Sequence, residues 1–355
     1  MILFCFLERN PVKAIVLTGV RQMDIRDIPE PAVKNDSDVL LKIELVGICG
    51  SDVHYYNTGR IGSQIVQYPF IIGHECTAAV KAVGRAVKKI KVGDKVVVDP
   101  AVSCHNCDQC KIGRENTCRN LRFLGTPGQG NGCLCEYIVM PQQCCFPIDG
   151  SITLEQGALC EPFAIGVYSV KQAQMSESAA VAVLGSGPIG LSCMAASQAQ
   201  NARAIYITDK LDYRLSAAKK AGAAWVGNPD KQNIVKEILE REPLGIDVVY
   251  ECAGQQSTID EAVDLLKPGG KLILVGIPEF ERISFIIDRI RRKEITIVNI
   301  RRQNGCTRKA IDLIAAHKVN IDFMITHKFR FQDAQKAFEL VAGYREGVIK
   351  ALIEF

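Results

Sequence analysis

The chain has no long hydrophobic run. No apolar stretch approaches the roughly 18 residues that span a bilayer, so no membrane-spanning helix is expected. It also lacks a strong charge of one sign. Its 43 basic and 39 acidic residues leave a formal net charge of +4, which makes no case for nucleic acid or an anionic membrane as partner. There is no internal repeat and no low-complexity segment. The first residues lack the make-up of an export signal: the apolar stretch Ile2 to Leu7 is short and has no basic segment before it. Met1 to Asn10 reads as a short extension before a first strand at Lys13–Thr18, and a reducing cytoplasm is the expected compartment.

What is present suits a folded enzyme. At roughly 150 residues per domain, 355 residues argue for about two domains. A hydrophobic share of 48% with 23% charged residues rules out wholesale disorder. The abnormal feature is fifteen cysteines. The number is odd, and the chain is too long for a disulfide-stapled miniprotein, so metal or catalytic roles are expected for some thiols.

Up to about residue 160 the chain is rich in strand-like runs, among them Val39–Val46, Thr77–Val83 and Lys95–Val98, punctuated by Gly93-Asp94 and Pro100. The segment from Pro100 to Pro141 is dense in Cys, Gly and Asn and long for a structureless loop, so something else must order it. From about Pro162 the texture changes. A helix is expected at Phe163–Lys171, then strands at Val181–Leu184, Ala204–Thr208, Asp247–Tyr250, Leu272–Val275 and Ile295–Val298. These alternate with helices near 189–200, 212–221, 234–240 and 259–266. Alternation of this kind, with near-continuous apolar strands, is the mark of a parallel sheet covered on both faces. A tail carries helices near 307–317 and 333–342 and a last strand near 348–353.

Gly185-Ser186-Gly187-Pro188-Ile189-Gly190 follows the first of these parallel strands. This is GxGxxG between a strand and a helix, the context a pyrophosphate site requires. The next strand ends in Asp209, nineteen residues past Gly190. A carboxylate there accepts both ribose hydroxyls and repels a 2′-phosphate, which favours NAD over NADP. Arg214 is placed to contact ribose or adenine, or to be a solvated helix charge.

Cys104, Cys107, Cys110 and Cys118 form C-x2-C-x2-C-x7-C. Four thiolates on one loop close a tetrahedral zinc shell, which orders the long segment and does not catalyse. A ferredoxin-type cluster uses a different fourth spacing and usually a following proline; here Arg119 follows. A second set is dispersed: Cys49 on a glycine-flanked turn, His74 and Glu75 in Gly73-His74-Glu75, and Glu161 before Pro162. Thiolate, imidazole and carboxylate together suit zinc and can leave one position open.

With these motifs in this order, the chain resembles the zinc-dependent medium-chain alcohol dehydrogenases. Within them it is similar to the sorbitol (L-iditol) dehydrogenase branch. The resembling residues are Cys49-Gly50-Ser51-Asp52-Val53-His54-Tyr55-Tyr56, Gly73-His74-Glu75, Glu161-Pro162 and Glu251-Cys252-Ala253-Gly254. The resemblance implies an α/β protein: a GroES-like β-rich catalytic domain over 1–163 and 300–355, and a doubly wound Rossmann NAD-binding domain over 164–299. It implies two zinc ions per chain. Cys49, His74 and Glu75 match catalytic zinc ligands, and Glu161 a carboxylate that ligates zinc or holds its water. Ser51 and His54 match proton-relay positions. Tyr55, Phe123 and Thr126 match substrate-pocket positions, and Arg302 stands there with Gln303, where the polyol branch carries a tyrosine. Gly185, Gly187, Pro188, Ile189, Gly190, Asp209, Arg214, Val275, Gly276, Ile277, Ile300, Arg301 and Arg302 match cofactor contacts.

The expected activity is oxidation of a secondary alcohol of a sugar alcohol to a ketone, with hydride passing to NAD. The alternatives are a threonine or butanediol dehydrogenase, or a noncatalytic zinc- and nucleotide-binding relative. A homodimer or homotetramer is implied. The other ten cysteines (5, 76, 133, 135, 144, 145, 160, 193, 252 and 306) are expected as small buried hydrophobes.

Overall fold

Runs of Val, Ile and Leu broken by Gly, Asp and Pro fold the first part of the chain into strands. The computed structural model describes residues 11–355; the expected extension Met1–Asn10, with Cys5, lies outside them. In chain order come β1 (Pro11–Gly19), β2 (Gln22–Pro29), β3 (Asp38–Gly47), α1 (Gly50–Thr58), β4 (Arg60–Ile61), β5 (Gln64–Ile65), β6 (Glu75–Val83), β7 (Lys95–Val98), β8 (Ala101–Val102), α2 (Asp108–Lys111), β9 (Arg122–Phe123), β10 (Tyr137–Pro141) and β11 (Cys145–Ile148). Then follow α3 (Leu154–Ala173), β12 (Ala180–Leu184), α4 (Pro188–Ala199), β13 (Ala204–Thr208), α5 (Asp212–Lys220), β14 (Trp225–Gly227), α6 (Ile234–Arg241), β15 (Ile246–Glu251), α7 (Gln256–Leu265), β16 (Leu266–Leu274), α8 (Ile287–Arg292) and β17 (Thr296–Asn299). The tail holds α9 (Thr307–Ala315), β18 (Ile325–Arg330), α10 (Ala334–Ala342) and β19 (Lys350–Glu354).

The first part and the tail share one sheet in the order β11-β7-β6-β3-β19-β18, with β10 also paired to β3. Register matters here. Gly47 on β3 lies opposite Glu75 on β6 and Leu352 on β19. The last strand therefore runs past the residues that precede and follow the Cys49 turn. The second sheet is parallel throughout, in the order β14-β13-β12-β15-β16-β17. Its order reverses beside β12, and the crevice at the strands' carboxyl ends is where ligands of such sheets bind. Every residue of β12 is buried, as a strand covered on both faces requires. This is the expected α/β architecture, a β-rich part joined to a doubly wound parallel sheet.

Two expectations are corrected. The helix expected at Phe163 begins at Leu154 and carries Pro162 in its interior. A capping box starts it: Gln156 N donates to Thr153 Oγ1 (3.1 Å) and Thr153 N to Gln156 Oε1 (3.0 Å). Pro162 removes one hydrogen bond without ending the helix, because buried packing from Ala158 to Ala164 holds both sides. The turn expected around Cys49 is the N-terminus of α1, with Cys49 as its cap residue. In addition, α9 packs with α3 on a face of the parallel sheet: Ala310, Ile311 and Ile314 share a core with Val181, Val183 and Ile207. The chain rejoins the antiparallel sheet only at β18.

Candidate active site

The end of β3, the start of α1 and the start of β6 bring three donors together. Cys49, His74 and Glu75 offer ligand atoms that all lie within 4.8 Å of one another. A soft thiolate, an imidazole and a carboxylate at this separation fit zinc. Asp52, inside the first turn of α1, sets their orientation. Its Oδ2 accepts from Cys49 N (3.1 Å), its Oδ1 accepts from Gly73 N (3.0 Å), and the same Oδ1 lies 3.4 Å from His74 Nδ1. That contact fixes one imidazole nitrogen and leaves the other for a metal. Burial alone would depress the His74 pKa, but Asp52 and Cys49 outweigh it and hold the value well above the ordinary one.

Glu75 is held from behind. Lys350 on β19 donates from Nζ to Glu75 Oε1 (2.8 Å), to Oε2 (2.6 Å) and to Ile48 O (3.0 Å). A methyl on Gly47 would overlap the Glu75 carboxylate, so only glycine leaves it room. Glu161, on α3, is buried and is not one of the three converging donors. Burial raises its pKa to about 7, with His74 acting against the shift and Glu75 adding to it.

Around this group stand the residues expected in a substrate pocket. Phe123 is buried, 5.3 Å between ring centroids from His74. The Arg302 guanidinium lies over Phe123, 3.7 Å from its centroid. Nη1 of Arg302 is buried with no hydrogen-bond partner, and burial lowers its pKa to about 9. Tyr55 is buried and donates to Gln64 Oε1 (3.0 Å), with the Thr126 hydroxyl beside it. Ser51 opens α1. His54 is half-buried one turn on, and its Nδ1 is 3.6 Å from Glu279 Oε1, across from the parallel sheet.

Gln303 is corrected. Its amide does not face the pocket's open donor. Nε2 donates to Asp99 Oδ2 (2.6 Å) and Thr307 Oγ1 (3.2 Å), and Oε1 accepts from Cys306 N (2.7 Å). These bonds tie the start of α9 to the loop after β7, so the side chain is spent on structure.

The second metal candidate closes as its spacing implies. Cys104, Cys107, Cys110 and Cys118 group within 4.8 Å. Sγ separations are 3.5 Å for Cys104–Cys118, 3.6 Å for Cys107–Cys110 and 3.9 Å for Cys107–Cys118. A tetrahedron with Zn–S bonds of about 2.3 Å has edges of about 3.8 Å. Backbone N–H groups of Asn106 and Cys107 lower the Cys104 pKa to about 6, which favours the thiolate a metal needs. Cys76, Cys133, Cys135, Cys144, Cys145, Cys160, Cys193 and Cys306 are buried and Cys252 half-buried, all without disulfides.

At the parallel sheet, Gly185 takes φ 105° against Cys252 and Ala253, and a methyl at Gly190 would strike the Gly185 carbonyl. Pro188 and Ile189 open α4, whose N-terminus faces this turn. Asp209 ends β13. Its Oδ2 accepts from Ser186 N (2.8 Å), its Oδ1 accepts from Leu211 N (2.9 Å), and Arg214 Nη1 lies 3.6 Å from Oδ2. The glycine cradle and this carboxylate fit a dinucleotide's pyrophosphate and ribose. Val275 N and Gly276 N both donate to Glu251 O (2.9 Å), and Ile300 N to Leu274 O (2.9 Å). These contacts place Val275, Gly276, the exposed Ile277, Ile300 and the exposed Arg301 at the strand ends of the same crevice. Glu251, not assigned from sequence, organises that rim: Oε1 accepts from Ala253 N, Gly254 N and Thr258 Oγ1.

Comparison with known proteins adds the following. Residues 35–150 match the alcohol dehydrogenase GroES-like domain, and residues 188–316 match the zinc-binding dehydrogenase family. The chain is 37% identical over 343 residues to sorbitol dehydrogenase of Bacillus subtilis (strain 168), covering 96% of this chain and 97% of that one. It is 36% identical over 346 residues to D-xylulose reductase A of Aspergillus niger, covering 96% of each. The solved structure of a short chain alcohol dehydrogenase from Escherichia coli CFT073, complexed with the cofactor NADH, matches with a TM-score of 0.90 at 31% identity. That match covers 97% of this chain and 99% of the other.

Proposed function

The chain belongs to the zinc-dependent medium-chain alcohol dehydrogenase family, and on that premise we propose that it oxidises a secondary alcohol of a sugar alcohol to a ketone, with NAD as hydride acceptor. The observation that carries the polyol is Arg302. A buried guanidinium N–H without a partner, beside Phe123 and near the zinc donors, calls for a second substrate oxygen. A simple alcohol would leave it unpaired, at a cost of about 1–3 kcal/mol.

Cys49, His74 and Glu75 hold zinc, and Cys104, Cys107, Cys110 and Cys118 a second, structural ion. When bound, the first ion supplies Lewis acidity toward the substrate hydroxyl, and NAD supplies the hydride acceptor. The chain's own residues do the rest. Asp52 orients His74, and Lys350 keeps the Glu75 carboxylate in place. Glu161, buried in the field of His74 and Glu75, takes up the hydroxyl proton through a water. The alternative carrier is the Ser51–His54 pair, with His54 Nδ1 3.6 Å from Glu279 Oε1. Gly185, Gly187 and Gly190 receive the pyrophosphate, and Asp209 selects the ribose that has a free 2′-hydroxyl.

We assign residues 1–163 and 300–355 to the catalytic part and 164–299 to the nucleotide part, with α9 lying across the junction. The chain assembles with copies of itself through the free edge of β17, with Ile286 and Ile287, exposed at the start of the preceding helix α8, as the apolar surface offered to the partner copy. Among the described residues no helix is long and apolar enough to cross a membrane. The fourteen free thiols among the described residues support a cytoplasmic setting.

The test is NAD reduction against pentitols, hexitols, inositols, threonine and butanediol. Turnover of a sugar alcohol in preference to the last two is expected. Turnover of threonine or butanediol alone, or of none, contradicts the reading.

A further inference from the structure

The β4–β5 hairpin and the turn at 126–130 face each other across a recess of about 630 Å³, a size that holds a small ligand. Its polar walls are Ser63, Gln64, Gln67 and Gln129, and no lining residue is charged. Gln64 joins this recess to the zinc group. Its Oε1 accepts the Tyr55 hydroxyl at 3.0 Å, and Tyr55 lies among Thr126, His74 and Arg302. With the oxygen so engaged, the Gln64 amide N–H groups are left for a ligand. On the opposite wall the turn is closed by Gln129 N and Gly130 N donating to Thr126 O (3.0 and 3.2 Å). The Gln129 amide oxygen is shut from solvent with no donor. Gln129 lines this wall, and its amide N–H groups can donate to a ligand oxygen.

The chemistry of the lining selects the ligand. Primary amides and a hydroxyl both donate and accept, which matches a run of hydroxyl groups. A phosphate or carboxylate would call for arginine or lysine, and the lining has neither. We propose that this recess is an outer subsite for the neutral, hydroxylated far end of the substrate, with Gln64 and Gln129 setting the preference for longer polyols. The inference rests on the polyol reading above.

The experiment measures kcat/KM for hexitols, for butane-2,3-diol and for a hexitol bearing a terminal phosphate. The wild-type chain, Gln129→Leu, Gln67→Leu and Gln129→Arg are compared. In both leucine variants the hexitol-to-diol ratio is expected to fall about 3- to 10-fold, the worth of one neutral hydrogen bond. Gln129→Arg is expected to shift preference toward the phosphorylated hexitol. A ratio unchanged in all three variants, in an enzyme that still turns over hexitols, overturns the subsite alone. A wild-type chain that oxidises no polyol overturns the substrate reading and the subsite with it.

Discussion

Lys350 and Glu75 form a fully buried ion pair across the antiparallel sheet, each side chain about 1% exposed and the closer contact 2.6 Å. The lysine comes from the last strand and the glutamate follows the histidine of the metal group. All three ammonium protons have acceptors: both Glu75 oxygens and the Ile48 carbonyl. The C-terminal strand is thereby part of the catalytic centre, although its sequence reads as ordinary β-structure.

Removing one member of such a pair leaves an uncompensated buried charge. Lys350→Met is expected to cost about 3–5 kcal/mol of stability and to weaken zinc retention, measured by denaturant unfolding and metal content. The Lys350→Met/Glu75→Gln double variant is expected to regain part of the stability but not the activity. Equal stability of wild type and Lys350→Met contradicts the pairing.

Arg302→Ala removes the pocket's unpaired donor and its stacking on Phe123. The kcat/KM for sugar alcohols is expected to fall roughly 10- to 100-fold, in line with a charge-assisted hydrogen bond of about 1.5–3 kcal/mol. A simple secondary alcohol is expected to lose less. Equal losses on both substrates would remove Arg302 from substrate recognition.

Asp209→Gly removes the carboxylate assigned to the ribose. The ratio of kcat/KM with NAD to that with NADP is expected to drop by at least about tenfold. An unchanged ratio refutes the role given to Asp209.

Replacing Ile286 and Ile287 together by Asp puts charge on the exposed start of α8, the helix that precedes β17. Light scattering is expected to show a smaller species than the wild-type assembly. The same mass for both contradicts assembly through this edge.

Much of the fold was legible because local patterns and tertiary packing agree. Lys95–Val98 and Ala204–Thr208 are strands with the expected bounds, and Gly185 to Gly190 join a strand to a helix. Legibility failed where distant partners decide. Pro162 reads as a boundary, yet buried neighbours carry the helix through it. The glycines flanking Cys49 read as a turn, whereas Gly50 opens the helix α1. Asp52 was visible within the motif, but its contact with His74 exists only once β6 folds against α1. Lys350 stands 275 residues from Glu75 with no local signal of its burial. Gln303 is expected at the substrate because it stands where the polyol branch carries a tyrosine, whereas Asp99 and Thr307 turn it away.

Two separate metal sites are assigned to the chain, one of them catalytic. Zinc per chain, measured in wild type and Cys49→Ser alongside NAD reduction and NAD binding, tests this assignment most directly. The prediction is about two zinc in the wild type and about one in the variant, with turnover lost and NAD still bound. A Cys49→Ser chain that keeps both its zinc and its turnover contradicts it.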